Sequence, residues 1–500
     1  MRTDLWVLFT RPFWLDEWHT ILVARRESVA QVIADLHNGS DFGPPFTHLV
    51  AWIYGKAFGL SPVSLRVLSL SFVVAGLALL YFTLRRRFDT MPSVAGVLAV
   101  ASNQLVLSQS LEWRFYAPWL AFTCALAWAL TLDRDKPRST RRDVAIALSA
   151  IGMVTSHWFG IITLGLMVAG AFVSQSLRPS QSQTPAPPLT LAVRRLLPAA
   201  AGIVAFLICF PLMLGQRGSV VEKSWMPDFT FDQLWVMLQI FWFAFVPAVG
   251  LVVALAALLI PARRDRLRSS WLPTLQDPAV AAMLSLLVLP LILAVVSYKQ
   301  PAMLPRYCIT VLLAWAPVVA FGFNAVGRTL RIVAIVWLAG VAYARLLKIA
   351  VDQRSFTFAI AAGQQAASQG CGRGMPILFQ VRHLMYPSTD GENHEGCDLR
   401  YLAISNQTLD AMYSPNSSQP RFFRVENEFA VLHGRMYGYP VVTTEAAMDT
   451  TRSFLLVGWD ASLPAGYKDI EKFRAAVFPQ HRVTRLTENL ALFELSPRTQ

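Results

Sequence analysis

The sequence predicts a polytopic α-helical membrane protein, with about ten transmembrane helices and a small α/β domain at the C-terminus, outside the membrane. Three observations lead there. Of the 500 residues, 54% are hydrophobic and only 15% charged, where a soluble chain usually carries about a quarter. The mean hydropathy is +0.44. The apolar residues gather into runs of about the ~20 residues that cross a hydrocarbon core, and the runs stop near position 350.

Those runs fall at about 63–84, 92–110, 117–132, 144–156, 158–175, 196–214, 242–260, 279–297, 307–326 and 332–348. The stretch 144–175 is too long for one crossing and short for two. Arginine-rich loops flank it on both sides, so the chain must cross and return, turning near Ser156-His157. Lys and Arg separate the loops into two sets. One holds Arg85, Arg86 and Arg87; Arg134, Lys136, Arg138, Arg141 and Arg142; Arg178, Arg194 and Arg195; Arg263, Arg264, Arg266 and Arg268; and Arg328 and Arg331. The other holds Arg114, Arg217, Lys223, Lys299 and Arg306. Seventeen against five marks the first set as cytoplasmic. The net charge of +13 therefore reads as an orientation signal and not as a nucleic-acid surface.

The domain organisation expected is an outer loop with an acidic motif and interfacial helices over 1–62, a transmembrane domain over 63–349, and an extracytoplasmic α/β domain over 350–500. In the last of these, Pro376–Gln380, Leu399–Ile404, Ser453–Trp459 and Asn489–Leu495 read as strands and Asp469–Val477 as a helix. Residues 178–193 form a Pro/Ser-rich cytoplasmic linker. Of five cysteines, Cys124, Cys209 and Cys308 lie in apolar runs, whereas Cys371 and Cys397 lie in the polar region and form either a disulfide or two free thiols. No Cys/His spacing suggests zinc.

Polar residues collect at the outer ends of the spans in five places. Asp16-Glu17 is framed by Trp14, Trp18 and His19, and tryptophan favours the headgroup level; alternatively these are two solvated acids near a terminus. Asp41 leads into Pro44-Pro45 and an amphipathic stretch with His48, Trp52 and Tyr54, which reads equally as a turn before an interfacial helix. Glu112, Arg114 and Tyr116 sit at a span boundary, where charge is costly and needs a partner; a packing ion pair and a binding role stand level. His157 lies at the proposed outer turn. Lys299, Arg306 and Tyr307 can hold a phosphate or snorkel to headgroups. Singly each signal is weak, but all five lie on one side, as a site built between helices requires.

With these residues in view, the chain resembles the polytopic GT-C glycosyltransferases, and among them the bacterial group of protein mannosyltransferases, aminoarabinose transferase and rhizobial galacturonosyltransferases. The resemblance covers about residues 13–350. The family's Asp-Glu pair matches Asp16-Glu17, and its Pro-Pro element with a segment ending in Phe-Gly matches Pro44-Pro45 through Phe58-Gly59. Arg66 matches the arginine opening the next span, and an acidic-x-Arg-x-Tyr element matches Glu112, Arg114 and Tyr116. A histidine–aromatic pair matches His157-Trp158, and an Arg-Tyr pair opening a late span matches Arg306-Tyr307. Two departures stand out. The family has a span before the Asp-Glu loop, where about a dozen residues precede it here, and Asp41 replaces a residue that is often histidine or another polar group.

The resemblance implies a GT-C-like fold and transfer of a sugar from a polyprenyl-phosphate donor to an acceptor hydroxyl on the extracytoplasmic side, typically with inversion. It implies Asp16 as base, its pKa raised by desolvation, with Glu17 orienting either the acceptor or the surroundings of Asp16. Arg114, Arg306, Lys299 and Tyr307 would bind donor phosphate. Asp41, His48, Glu112, Tyr116 and His157 would bind sugar or acceptor, with Glu112 holding Arg114. No cofactor is required, although Asp16, Asp41 or His157 could take a divalent metal. The expected partners are the lipid-linked donor, a glycan, lipid or protein acceptor, and membrane lipid, with no nucleic acid. The expected location is the bacterial inner membrane. A rival reading is a flippase for lipid-linked glycans; it would put its polar groups near the bilayer midplane, where these spans carry almost no charge. A third is a scaffold anchoring residues 350–500, which has no use for acidic and basic groups in five outer loops.

Overall fold

The computed structural model describes residues 5–11, 13, 15–133, 136, 139–176, 188–219, 230–232, 234–235, 272–299, 303–380, 398–402, 441–442, 452–457, 471, 474–475, 478–486 and 492–497. The run at 242–260 and the Cys371–Cys397 pairing lie outside what is described. The other apolar runs are helical.

Three short helices precede the bundle: α1 (Val7–Thr10), α2 (Leu15–Ala24) and α3 (Val29–His37). Asp16 and Glu17 occupy the first turn of α2, where the partial positive charge of a helix N-terminus favours acids. Ser28 and Gln31 form a capping box that starts α3. The next helix, α4 (Phe46–Phe58), follows Pro44-Pro45 directly. It buries Thr47, His48 and Ala51 and leaves Ile53 and Phe58 exposed. Gly59, at φ +76°, ends it in a conformation that side chains resist.

Five described helices are long and apolar enough to cross a membrane: Pro62–Arg85 (α5), Leu189–Arg217, Pro278–Ser297, Pro305–Asn324 and Arg328–Gln353. The expected span at 92–110 is broken. It forms α6 (Thr90–Ala101) and α7 (Gln104–Ser110), bent by 72°. The break has a local cause: the Asn103 side chain accepts a hydrogen bond from the Leu105 amide and starts a new helix.

At the centre lies α8 (Tyr116–Ala129), whose residues are almost all buried. It packs between α5 and α9 (Thr140–Ser156). A Cβ at Gly76 would stand 2.8 Å from the Ala121 Cα, so glycine permits the close approach of α5 to α8. The turn between α9 and α10 (Gly160–Ser176) falls at 157–159, where the arginine counts put it. A Cβ at Gly160 would meet the Met153 carbonyl at 2.2 Å.

The last described span belongs to a continuous helix, Arg328–Arg373, so the change in composition at 350 falls inside this helix. A six-stranded sheet follows in the order β3-β2-β1-β4-β6-β5. Its strands are β1 (Ile377–Gln380), β2 (Leu399–Leu402), β3 (Val441–Val442), β4 (Phe454–Val457), β5 (His481–Arg485) and β6 (Leu492–Pro497). The first four pair in parallel and β6 is antiparallel to both β4 and β5. Four strands coincide with sequence-predicted ones. The two others escaped notice because β3 has only two residues and β5, His-Arg-Val-Thr-Arg, is mostly polar.

Candidate active site

The turns at the Asp16 end of the bundle bring together four arginines and four acids from segments far apart in sequence. They form two buried clusters and one open pair.

The first cluster surrounds Glu17, which is fully buried. Its Oε2 accepts from Arg66 Nη2 at 3.0 Å and Arg11 Nη1 at 3.5 Å, and its Oε1 from the Trp113 amide at 3.3 Å. Arg66 is itself fully buried and also donates to the Phe9 carbonyl at 2.9 Å and to the Arg11 carbonyl. Arg11 reaches Glu112 at 3.6 Å, and Gln109 Nε2 donates to Glu112 Oε2 at 3.3 Å. Buried charges are tolerated only when paired in this way. Glu17 therefore has no contact surface for an acceptor: it locks the N-terminal segment to α5 and to the 111–115 turn. Glu112 likewise faces Arg11, not Arg114 as expected.

The second cluster surrounds Asp41. Arg114 donates to it twice, Nη1 to Oδ2 at 2.6 Å and Nη2 to Oδ1 at 3.1 Å, the bidentate geometry that strengthens such a pair. Arg114 Nη1 also donates to the Asp16 carbonyl at 2.6 Å and to Thr20 Oγ1 at 2.8 Å. The Thr20 hydroxyl and His48 Nε2 lie 3.1 Å and 2.9 Å from Asp41 Oδ2. Burial alone would raise the Asp41 carboxyl, but Arg114 and His48 hold it well below the usual carboxylate range. Asp41, His48 and Arg114 are each at most 5% exposed. They form the rigid floor on which α2 sits, and an Arg114 so engaged is not available to grip a phosphate directly.

The open pair is Asp16–Arg306. Arg306 Nη1 donates to Asp16 Oδ2 at 2.5 Å, and the two side chains are 19% and 20% exposed. The partners are 290 residues apart in sequence. Burial pushes the Asp16 carboxyl up, but Arg306, Arg114 and His19 outweigh it and leave the pKa below its ordinary value. This reverses the sequence expectation, which weighed desolvation without the arginines.

Aromatic rings line the pair. The Arg306 guanidinium lies 5.8 Å from the Tyr116 ring and 6.0 Å from the Tyr307 ring, which stack on each other at 6.3 Å. His157 stacks on Trp119 at 4.2 Å with an interplanar angle of 11° and lies 5.5 Å from Tyr307. Its Nδ1 accepts from the Phe159 amide at 3.0 Å, so in the neutral ring the proton sits on Nε2. Lys299 is exposed at the end of its helix, 5.8 Å from the Tyr298 ring, and has no ion pair among the described residues. Trp14 lies outside the described residues.

Arg11, Thr20, Trp119 and Gln216 belong to this assembly and were not singled out from sequence. Gln216 Nε2 donates to the Gly43 carbonyl at 2.9 Å and its Oε1 accepts from Trp158 Nε1 at 3.1 Å. Of these, only Arg11 left a trace in the sequence: a basic residue on the outer side, six positions before an acid. Among the described residues, no three His, Cys, Asp or Glu side chains converge as a metal set.

A helical membrane bundle with a cluster of charged and aromatic side chains at one end and a small sheet domain beyond its last span has the architecture of the GT-C membrane glycosyltransferases, the class its motifs resemble. Residues 43–200 match the family model described as dolichyl-phosphate-mannose-protein mannosyltransferase. Over nearly its whole length the chain has the fold of ArnT from Cupriavidus metallidurans, in the structure bound to undecaprenyl phosphate and in the apo state alike. Each superposes with a TM-score of 0.55 at 12% identity, covering 98% of this chain and 95% of ArnT. No curated protein matches the chain in sequence.

Proposed function

We propose that this protein transfers a sugar from a polyprenyl-phosphate donor to an acceptor hydroxyl, by a single inverting displacement at the extracytoplasmic face of a bacterial inner membrane. The observation that carries the reading is the Asp16–Arg306 pair. It is the most open charge pair of the site, set over a floor of buried, paired charges. Binding of undecaprenyl phosphate by ArnT, whose fold this chain has, supports a lipid-phosphate donor.

In this mechanism the donor phosphate competes with Asp16 for Arg306. The guanidinium turns to the phosphate oxygens, and Asp16, ionised because the arginines hold its pKa down, is freed beside the acceptor. Asp16 takes the hydroxyl proton as the oxygen attacks the anomeric carbon. The bond from that carbon to the phosphate oxygen breaks, and its electron pair leaves with the lipid phosphate, stabilised by Arg306. Tyr116, Tyr307 and His157 pack around the same pair and would hydrogen-bond phosphate or sugar. Lys299 reaches the phosphate from the rim. Glu17, Asp41, His48, Glu112 and Arg114 act by position. No metal enters the scheme.

The test is transfer from a panel of radiolabelled polyprenyl-phosphate sugars in membranes carrying wild-type or Asp16→Asn protein. Transfer by wild type with at least a hundredfold loss in Asp16→Asn is expected. Full activity in that variant would remove Asp16 as the base, and no transfer from any donor by folded wild type would overturn the reading.

A further inference from the structure

The last described span carries an ionisable side chain that the sugar-transfer scheme leaves out. Arg345 sits roughly 25 Å along the helix from Arg328, at about 1.5 Å per residue. It therefore lies within the apolar stretch that runs to Gln353. An ionisable group inside a span is costly and calls for a partner. Arg345 finds one in another span, where its Nη1 donates to the Ser102 carbonyl at 2.6 Å.

Ser102 is the C-cap of α6, at the break where the chain turns by 72° into α7. A helix that stops inside the membrane leaves carbonyls at its end without helical partners, and hydrocarbon supplies none. Arg345 serves one of them, and its charge suits the negative end of the helix. Asn103 makes the bend locally; Arg345 ties the bent span to the last one.

The same helix then backs α7 as far as the 111–115 turn. Leu346, Ile349 and Ala350 pack with Leu107 and Leu111, and with Leu8 of α1, in one apolar cluster. From there the contacts reach the site. Arg11 donates to the Leu111 carbonyl at 3.3 Å, the Trp113 amide to Glu17, and Arg114 to the Asp16 carbonyl. Arg306 is carried by a different helix, Pro305–Asn324. A shift of α7 would thus move the first turn of α2, with Asp16, relative to Arg306.

We propose that Arg345 is a positioning residue for Asp16: by fixing the corner of the broken span to the last span, it sets where the 111–115 turn holds the start of α2. The proposal rests on the assignment of Asp16 as base.

The experiment compares full-length wild type with Arg345→Gln, Arg345→Lys and the control Lys348→Gln, an exposed position one turn further on. Arg345→Gln should lower kcat by about tenfold or more, since small misplacements of a reacting group are costly. Its donor KM should stay within about twofold, because the phosphate-binding Arg306 is not displaced. Arg345→Lys should regain most of the rate, and Lys348→Gln should match wild type. Amide hydrogen exchange, read by mass spectrometry, gives a measure that needs no activity. Peptides spanning 103–116 should exchange faster in Arg345→Gln, and to a smaller degree in Arg345→Lys, while those of α5 are unchanged. If Arg345→Gln does not fold, Arg345→Lys carries both measurements. Unchanged exchange would show that Arg345 does not hold the turn. Faster exchange with wild-type kcat, or a fall in kcat matched by a rise in KM and not rescued by lysine, would overturn the positioning role. Absence of transfer by folded wild type would instead fail the sugar-transfer reading, and the exchange comparison alone would then decide whether Arg345 holds the turn.

Discussion

Glu112 offers the sharpest quantitative test of the buried charge network. It lies between the bent α7 and the start of α8, with its side chain 13% exposed. Burial, with Glu17 and Asp16 nearby, pushes its carboxyl up from 4.5 to about 7, against the pull of Arg11 and Arg306. An acid whose pKa is higher in the folded state binds more protons folded than unfolded between those two values, so stability falls as pH rises through that window. At 1.36 kcal/mol per pH unit, the loss between pH 4.5 and 7 comes to about 3 kcal/mol. Glu112→Gln keeps an oxygen for the Gln109 amide to donate to and cannot ionise. The variant should match wild type near pH 4.5 and exceed it by about 3 kcal/mol at pH 8. Unfolding by SDS, followed by the fluorescence of the 15 tryptophans, reads both proteins across that range, and every other titrating group cancels in the difference. Parallel curves for the two proteins would refute the reasoning. They would mean that Arg11, 3.6 Å away, keeps Glu112 ionised at every pH tested.

Two further substitutions separate chemistry from scaffold. Arg306→Ala should lower transfer by a hundredfold or more, the scale on which one oxyanion-stabilising group usually counts, while Arg306→Lys should retain part of the rate with a weaker donor KM; initial rates against donor concentration check both. Glu17→Gln leaves Arg66 and Arg11 short of a buried partner and should cost about 3–5 kcal/mol of stability, read by the same SDS titration, whereas Asp16→Asn, in a pair about one-fifth exposed, should cost far less.

The sequence carried the helices plainly, because a run of apolar residues bounded by arginines can form little else in lipid. It carried the broken span poorly. Residues 94–107 are apolar except for Ser102, Asn103 and Gln104, and the bend depends on a single Asn103 side chain turning back to the backbone. Composition placed the end of the last span near 350, and the apolar span does end at Gln353; what composition did not show is that the helix itself continues to Arg373. At the site, residue types and the side of the membrane were legible, but pairings were not. Glu112 and Arg114 are two positions apart, so their side chains are not forced together, and the structure gives each a partner from the N-terminal segment: Arg11 for one and Asp41 for the other. Arg11 itself went unnoticed, since an isolated arginine becomes informative only when its acid comes from another segment.

The charge balance of the site links this network to the proposed reaction. Arg11, Arg66, Arg114 and Arg306 face Asp16, Glu17, Asp41 and Glu112. With all eight ionised and the histidines left aside, the set is neutral. With Glu112 protonated it carries one positive charge, which complements the single negative charge of a sugar phosphodiester. During transfer Asp16 gains a proton while the phosphate gains a charge on leaving, so the total does not change. The charge moves only from Asp16 to the phosphate, and Arg306 contacts the first and would contact the second. A site arranged in this way needs little reorganisation at the moment of reaction, which is the condition under which fixed charges accelerate chemistry most. It follows that Glu112→Gln, which fixes the protonated charge state, should leave donor affinity at pH 6 near that of wild type and raise it above wild type at pH 8, where the native carboxylate would otherwise cancel the positive charge. The measurement is donor KM for both proteins at the two pH values, and a KM that rises equally with pH in the two would show that the charge on Glu112 is not felt at the donor.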